Sequence, residues 1–176
     1  MALRFLLLSI GPVPSLGNIA AAGSDEKCKL AMQRGAQSSV NYSQGSLKDA
    51  VRKLVGEGGV NVAIDMVGGD ICLEALRSLA WEGRIVVVGF AGGNIASEPA
   101  NLLLLKNISA MGLYCGQYKD MNFPVFSKSL SSVLQYCQQG CIQLYVRMVF
   151  KLDEVNDAFL HVIQGKSVGK VLLALK

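Results

Sequence analysis

Short apolar runs alternate along the chain with segments in which apolar residues recur every three or four positions. The recurrence at Leu47, Val51 and Leu54 is typical of one apolar helix face, whereas the β-branched run Arg84–Phe90 is typical of a strand that is buried on both sides. The predicted strands are Ile19–Gly23, Ser39–Tyr42, Val60–Val67, Arg84–Phe90, Ile108–Tyr114, Val146–Phe150 and Lys170–Leu175. The predicted helices are Ser24–Gly35, Leu47–Val55, Cys72–Ala80, Leu102–Leu105, Phe123–Gly140 and Val155–Ile163.

Because strands and helices alternate with short connections, the sequence predicts an α/β fold with a parallel sheet and helices on both of its faces. Ligands of such folds bind outside the carboxyl ends of the strands. The residues directly after each strand are therefore the candidates for a functional site. The length of 176 residues suits one domain with a sizeable core.

Composition narrows the possible classes of protein. Hydrophobic residues make up 51% and charged residues 17%, which excludes a disordered chain. The net charge of +4 comes without a run of Lys or Arg, so we expect no nucleic-acid partner. No apolar run approaches the roughly 18 residues that a membrane span needs. The opening MALRFLLLSI resembles the start of a signal peptide, but its apolar run is shorter than usual.

The chain has five cysteines, an odd number. This number is typical of an intracellular protein whose thiols are reduced. We therefore expect a cytoplasmic protein, with a mitochondrial location as the alternative. Cys137 and Cys141 stand at helical spacing and could share a metal ion, but nothing nearby completes a set of four ligands. We accordingly expect no metal site.

The end of the first predicted strand carries the most informative residues. Many NAD-binding folds place a carboxylate there to hold the ribose 2′-hydroxyl, but this chain has Gly23, followed by Ser24. Lys27 lies one helical turn further on. A hydroxyl, a cation and free backbone N–H groups suit a phosphate, which favours the 2′-phosphate of NADPH over NADH. The alternative is a plain helix cap at Ser24 and a solvated charge at Lys27, and spacing alone favours this alternative.

Other strand ends leave two interpretations open. Tyr42 could lie beside an adenine or simply cover the sheet. Asp65, inside an apolar strand, needs hydrogen bonds when buried, and a structural role is at least as well supported as a catalytic one. The glycines of Gly89–Gly93 could let the backbone approach a ligand or could form an ordinary turn. Gly112–Tyr114 carries the same ambiguity.

Four segments together resemble a known family. The stretch from Ala20 to Lys176, about nine-tenths of the chain, resembles the cofactor domain of zinc-free medium-chain dehydrogenases/reductases, in the quinone oxidoreductase branch. The segments are AAGSDEKCKLAMQRGAQSSVNY, NVAIDMVGGD, GRIVVVGFAGG and the tail VNDAFLHVIQGKSVGKVLLALK. The tail and the first segment are the most specific. The resemblance implies a Rossmann-like fold and NADPH as the cofactor.

The resemblance also implies roles for individual residues. It places Ser24 and Lys27 on the adenosine 2′-phosphate, Tyr42 near the adenine ribose phosphate, Gly89, Phe90 and Ala91 along the nicotinamide ribose, Leu113 and Tyr114 toward the nicotinamide, and Lys170 at a tail position that reaches the cofactor. It assigns no catalytic side chain, because hydride transfer to a quinone or an enone depends mainly on the orientation of the cofactor and on a pocket for the acceptor.

Two departures from the family pattern stand out. Gly11 and Gly17 do not form a GxGxxG fingerprint, and Pro12 and Pro14 lack the backbone N–H groups that would hold a phosphate. We therefore expect the Rossmann sheet to be incomplete at its N-terminal edge, with the pyrophosphate losing its main anchor. The family's N-terminal substrate domain also has no counterpart in these 176 residues, so we expect a truncated form.

The expected organisation is a divergent segment 1–18, a partial NADPH-binding Rossmann domain 19–144, and a segment 145–176 whose helix and strands pack on the substrate domain in the family. The expected function is NADPH-dependent quinone oxidoreduction, weakened or inactive in this chain. The alternative is a non-catalytic interaction or dimerisation module that pairs with itself or with a full-length relative through the edge strand near Ile108–Leu113. A methyltransferase is disfavoured by the missing acid at the first strand end and by the GKxxGKV tail.

Overall fold

The computed structural model of the chain describes residues 5–10 and 17–175. Within this part the chain forms two compact units, one ending at Leu113 and the other beginning at Tyr114. The division expected at 144–145 concerns packing on a further domain and stays a prediction. Gly11, Pro12 and Pro14, on which the missing fingerprint was argued, lie outside the described residues.

The first unit alternates strands and helices, as the sequence predicts. Its strands are β1 (Phe5–Ile10), β2 (Gly17–Ala22), β3 (Ser38–Asn41), β4 (Val60–Asp65), β5 (Leu79–Val87) and β6 (Ser109–Gly112). Its helices are α1 (Asp25–Gln33), α2 (Leu47–Val55), α3 (Gly69–Ser78) and α4 (Ala100–Lys106). A short 3₁₀ turn at Tyr42–Gln44 follows β3.

The six strands form one sheet in the order β3-β2-β1-β4-β5-β6. The pairs β2–β3, β4–β5 and β5–β6 are parallel. This is the strand order of dinucleotide-binding Rossmann folds. The predicted α/β fold of Rossmann type is therefore confirmed.

The expected incompleteness of the sheet takes a specific form. The sequence pattern predicts no strand before Ile19, yet β1 occupies the central position and runs antiparallel to both neighbours. Leu6 stands opposite Ala21 on one side and Asp65 on the other. The place of the first Rossmann strand is thus filled, but by a strand of the opposite direction.

The core lies where α2 and α3 pack against the sheet. The side chains of Leu47, Val51, Leu76, Leu79 and Ile85 are fully buried, as the helical spacing and the β-branched run predict. Burying one such side chain contributes about 1.5–3 kcal/mol. This packing fixes the strand ends that follow.

The bounds of β5 differ from the prediction by several residues at each end. The structure starts β5 at Leu79, within the predicted helix, and ends it at Val87, before the predicted end at Phe90. The register with β4 shifts between the pairs Val60–Leu79 and Val62–Arg84, and Glu82 has a φ of 57°. A bulge of this kind places extra residues in one strand of a pair, so β5 continues across the register shift instead of ending there.

The second unit contains α5 (Tyr118–Met121), α6 (Phe123–Gln138), β7 (Val146–Lys151), α7 (Val155–Ile163) and β8 (Lys170–Ala174). The side chain of Asn122 caps α6 by accepting from the N–H of Val125 at 3.4 Å. The strands β7 and β8 pair in parallel across α7, and Ala158 on that helix is buried. The unit is therefore a small parallel strand–helix–strand motif preceded by a long helix.

Candidate functional site

The candidate residues of the first unit follow strands that end at one edge of the sheet. Because β2 and β4 are both antiparallel to β1, they are parallel to each other, and the carboxyl ends of β2 to β6 share that edge. We call it the carboxyl edge. It is where Rossmann folds bind their ligands.

At the carboxyl end of β2, Ser24 begins α1. Its backbone is extended, with φ −160° and ψ 155°, and its Oγ accepts a hydrogen bond from the N–H of Lys27 at 3.4 Å. The cap predicted from the sequence is therefore formed. It uses an acceptor position of the hydroxyl, so the O–H hydrogen can still donate to an anion. The two interpretations of Ser24 are thus compatible in this structure.

Tyr42 meets the same place from the end of β3. A Cβ atom at Gly23 would lie 3.2 Å from both Cε2 and the hydroxyl oxygen of Tyr42, so the aromatic ring lies directly over the Gly23 backbone. Only glycine leaves room for this approach without displacing the ring. Ser24, Lys27 and Tyr42 are therefore brought to two adjacent strand ends around Gly23.

A carboxylate beside these residues was not singled out from the sequence. Asp25 accepts hydrogen bonds from Asn41 Nδ2 at 2.8 Å and from Gln44 Nε2 at 3.0 and 3.1 Å. Two amide groups therefore hold the acid at the end of β3. The partners lie 16 and 19 residues away in the sequence, so no local motif signals the contact.

The buried acid Asp65 serves the backbone. Its carboxylate accepts from the N–H of Val67 at 2.8 Å and from the N–H of Gly68 at 3.1 and 3.2 Å, and its side chain is fully buried. Its carbonyl accepts from Val88 N–H at 2.8 Å. The structure therefore supports the structural interpretation of Asp65, which shapes the loop after β4.

The glycine-rich loop after β5 is hydrogen-bonded to the loop after β4. The N–H of Ala91 donates to the carbonyl of Met66 at 2.9 Å. Gly68 has a φ of +79°, and a Cβ there would lie 2.7 Å from Phe90 Cδ1 and 2.5 Å from the Asn94 carbonyl oxygen. Phe90 thus covers the start of α3. Gly89, Phe90 and Ala91 form an ordered part of the carboxyl edge, beside β4.

A buried thiol lies below these loops. Cys72 Sγ is 3.4 Å from Glu98 Oε1, and the cysteine is fully buried. Burial, followed by the nearby carboxylates of Asp65 and Glu98, raises the pKa of the Cys72 thiol strongly. The thiol therefore stays protonated and unreactive near neutral pH.

Among the remaining predicted residues, Leu113 directly follows β6 at the carboxyl edge. The N–H of Leu113 donates to the carbonyl of Val87 at 2.9 Å, which continues the pairing of β5 and β6. Tyr114 and Lys170 belong to the second unit, where Tyr114 lies against Gly116 and the exposed Lys170 begins β8. Their part in one site with Ser24 stays a prediction.

Comparison with known proteins identifies the family. The sequence model described as zinc-binding dehydrogenase matches residues 18–132, about two-thirds of the chain. The chain belongs to this family. Its sequence is 80% identical to quinone oxidoreductase-like protein 2 of Bos taurus and 78% identical to that of Rattus norvegicus, each over 158 residues. The predicted resemblance to the quinone oxidoreductase branch is confirmed.

The match covers 90% of this chain but only 45% of each of these relatives, so the chain spans less than half their length. Among solved structures, the Escherichia coli quinone oxidoreductase complexed with NADPH has the same fold, with a TM-score of 0.78 at 21% identity. The fit covers 88% of this chain and 48% of the bacterial one. It shows the family's Rossmann architecture in the aligned part.

The family's description names zinc, but across residues 17–175 no three His, Cys, Asp or Glu side chains are grouped so that they could hold a metal ion. Cys137 is half-buried and Cys141 is exposed. In the same part of the chain, none of the helices has the length and apolar character needed to cross a bilayer.

Proposed function

We propose that this chain carries the nucleotide-binding half of an NADPH-dependent quinone oxidoreductase. One observation supports the proposal above the others: Ser24, Lys27 and Tyr42 stand around Gly23, at the strand end where NAD-specific folds keep an acid. The family assignment and the quinone oxidoreductase names of the relatives agree with it.

The chemistry of these residues suits the 2′-phosphate of NADPH. Lys27 supplies a compact positive charge, Ser24 supplies a hydroxyl donor, and the start of α1 adds the positive end of a helix dipole. Asp25 and Glu26, both in the first turn of α1, would repel a phosphate, although the Asp25 carboxylate is engaged by Asn41 and Gln44. The ring of Tyr42 offers a flat surface to the ribose and the adenine.

In the proposed function, hydride passes from NADPH to a quinone or an enone. Gly89, Phe90 and Ala91 line the nicotinamide ribose, with Leu113, Tyr114 and Lys170 as further cofactor contacts. This chain supplies orientation rather than an acid or base. The acceptor pocket draws on the part of the relatives that the chain does not match, so we expect these 176 residues alone to show weak turnover or none.

Calorimetric titration with NADPH and NADH tests the cofactor assignment. We expect Lys27→Glu to weaken NADPH binding by about tenfold or more and to leave NADH binding unchanged. Lys29→Glu is the matched control, because Lys29 is exposed on the same helix and lies about 200° around its axis from Lys27. Unchanged NADPH affinity in Lys27→Glu overturns the proposal.

The exposed edge of the sheet supports a second candidate function, a non-catalytic pairing module. All four residues of β6 are exposed, and an edge strand with open backbone groups is a template for another chain. The partner is a second copy of this chain or a full-length relative. Sedimentation velocity with and without quinone oxidoreductase-like protein 2 tests this: a single monomer peak in both samples rules it out.

We also propose a cytoplasmic location, with a mitochondrial one as the alternative. All five cysteines are free thiols in the structure, which agrees with a reducing compartment. Fractionation of cells expressing the chain distinguishes the two locations.

A further inference from the structure

The direction of β1 sets the chain apart from a complete dinucleotide-binding fold. In the strand order seen here, the pyrophosphate of a dinucleotide normally sits on the turn that follows the central strand, at the start of a helix. That turn is at the carboxyl edge only if the central strand is parallel to its neighbours. In this chain β1 is antiparallel to both.

The pairing of β1 with β2 shows at which edge of the sheet each end of β1 lies. Phe5 is opposite Ala22 at the carboxyl edge, and Ile10 is opposite Gly17 at the other edge. Five residue steps of strand separate the two edges by about 17 Å. The carboxyl end of β1 therefore lies at the edge of the sheet away from Ser24 and Tyr42, and β1 does not end where the central strand of a dinucleotide site ends.

The neighbouring helix start does not replace this turn. The first turn of α3 lies at the carboxyl edge, directly after β4, but the N–H of its cap residue Gly68 already donates to the Asp65 carboxylate, and Phe90 lies against Gly68. Asp70 adds a second negative charge in that turn. A pyrophosphate at this position would meet a helix start that Phe90 covers, together with acidic groups.

The residues present therefore fit one end of NADPH and not its middle. We propose that the carboxyl edge is a mononucleotide site, whose ligand class is an adenosine that carries a 2′-phosphate. The inference rests on the proposed function for the position of that phosphate. It adds that the nicotinamide mononucleotide half of NADPH contributes little to binding by this chain.

Calorimetry with matched ligands tests the inference on the whole chain. We expect adenosine 2′,5′-bisphosphate and NADPH to bind with dissociation constants within about threefold of each other, and adenosine 5′-monophosphate and NADH to bind at least about tenfold more weakly. NADPH binding about tenfold or more tightly than the bisphosphate overturns the mononucleotide site while leaving the proposed function intact. If neither adenosine 2′,5′-bisphosphate nor NADPH binds, both the mononucleotide site and the proposed function are overturned. The same titrations on the Escherichia coli quinone oxidoreductase provide the reference for a complete site.

Saturation-transfer NMR gives an independent readout with NADPH itself. We expect strong transfer from the protein to the adenine and adenosine ribose protons, and little transfer to the nicotinamide protons. Lys27→Glu should abolish the adenine signals, and Lys29→Glu should not. Equal transfer to both ends of NADPH contradicts the inference.

Discussion

The ring of Tyr42 lies over Gly23, so closely that a Cβ atom at position 23 would come within 3.2 Å of the ring and of its hydroxyl oxygen. This contact joins the ends of two parallel strands at the place where we put the 2′-phosphate. It also explains why glycine, and not a larger residue, precedes Ser24.

We expect Gly23→Ala to move the Tyr42 ring by a few tenths of an ångström and to weaken NADPH binding by about three- to tenfold. Calorimetry measures the loss. Gly58→Ala is the control, because nothing lies within 4 Å of a Cβ at that exposed position. Equal affinities in Gly23→Ala and the unsubstituted chain would show that the ring position has no influence on the nucleotide.

A comparison of Gly68 with Gly35 separates two effects on the free energy of unfolding, the loss of a contact between two loops and backbone strain. Both have a positive φ, of +79° and +99°, but a Cβ at Gly68 would overlap Phe90 and the Asn94 carbonyl, whereas nothing lies near Gly35. We expect Gly35→Ala to lower the free energy of unfolding by about 1 kcal/mol and Gly68→Ala to lower it by about 3 kcal/mol or more.

Urea denaturation of both variants measures the difference. Similar losses at the two positions would mean that the loop after β5 moves away from Gly68 at little cost. That result would also argue against an ordered Gly89–Ala91 segment at the carboxyl edge.

The sequence predicted helices and strand positions well, because each depends on local apolar spacing. Ser24 is an example: a hydroxyl before two acids marks a helix start, and the structure forms that cap. The pattern predicts no strand at Phe5–Ile10, and the antiparallel direction of β1 depends on which strands it meets rather than on its own six residues. The Asp25 contacts with Asn41 and Gln44 are likewise decided by tertiary packing.

In the candidate site, too, some residues could be predicted from the sequence, whereas the role of others depends on tertiary contacts. The resemblance selected Ser24, Lys27 and Tyr42, and the fold brings their strand ends together. Asp65 kept two interpretations in the sequence because a buried acid can anchor backbone or take part in chemistry, and only the hydrogen bonds to Val67 and Gly68 separate the two.

The five thiols should differ widely in reactivity. Cys115 and Cys141 are exposed, whereas Cys28 and Cys72 are buried, and burial is the main cause that raises the pKa of both buried thiols. We expect iodoacetamide at pH 8 to alkylate the exposed pair first and the buried pair only after unfolding. Peptide mass spectrometry over a time course measures this. Alkylation of Cys72 at the rate of Cys115 would contradict the described packing.

Glu74 links the start of α2 to α3 and makes stability depend on pH. Burial by itself raises the pKa of Glu74, but hydrogen bonds from Arg77, the Lys48 N–H and Ser46 outweigh it and hold that pKa below its usual 4.5. Its contribution is therefore complete above pH 4.5 and is lost as the pH falls through the lower folded-state value.

We expect Glu74→Gln to lower the free energy of unfolding by about 1 kcal/mol at pH 7, with the difference from the unsubstituted chain shrinking below pH 4.5. Thermal or urea unfolding at several pH values provides the measurement. Glu57→Gln is the control, because the Glu57 side chain is 83% exposed and its ion pair with Arg52 should add little. A pH-independent difference for Glu74→Gln would exclude the ionised carboxylate as its cause.

The central place of β1 couples the two halves of the sheet. Every backbone ladder between the β2–β3 pair and the β4–β5–β6 group passes through Phe5–Ile10. Fraying of these six residues would break the backbone pairing between the Tyr42 side of the carboxyl edge and the Phe90 side, and the two sides would then be joined through their shared buried side chains. The backbone continuity of the sheet thus depends on a stretch that lies outside residues 18–132, the part that matches the family's sequence model.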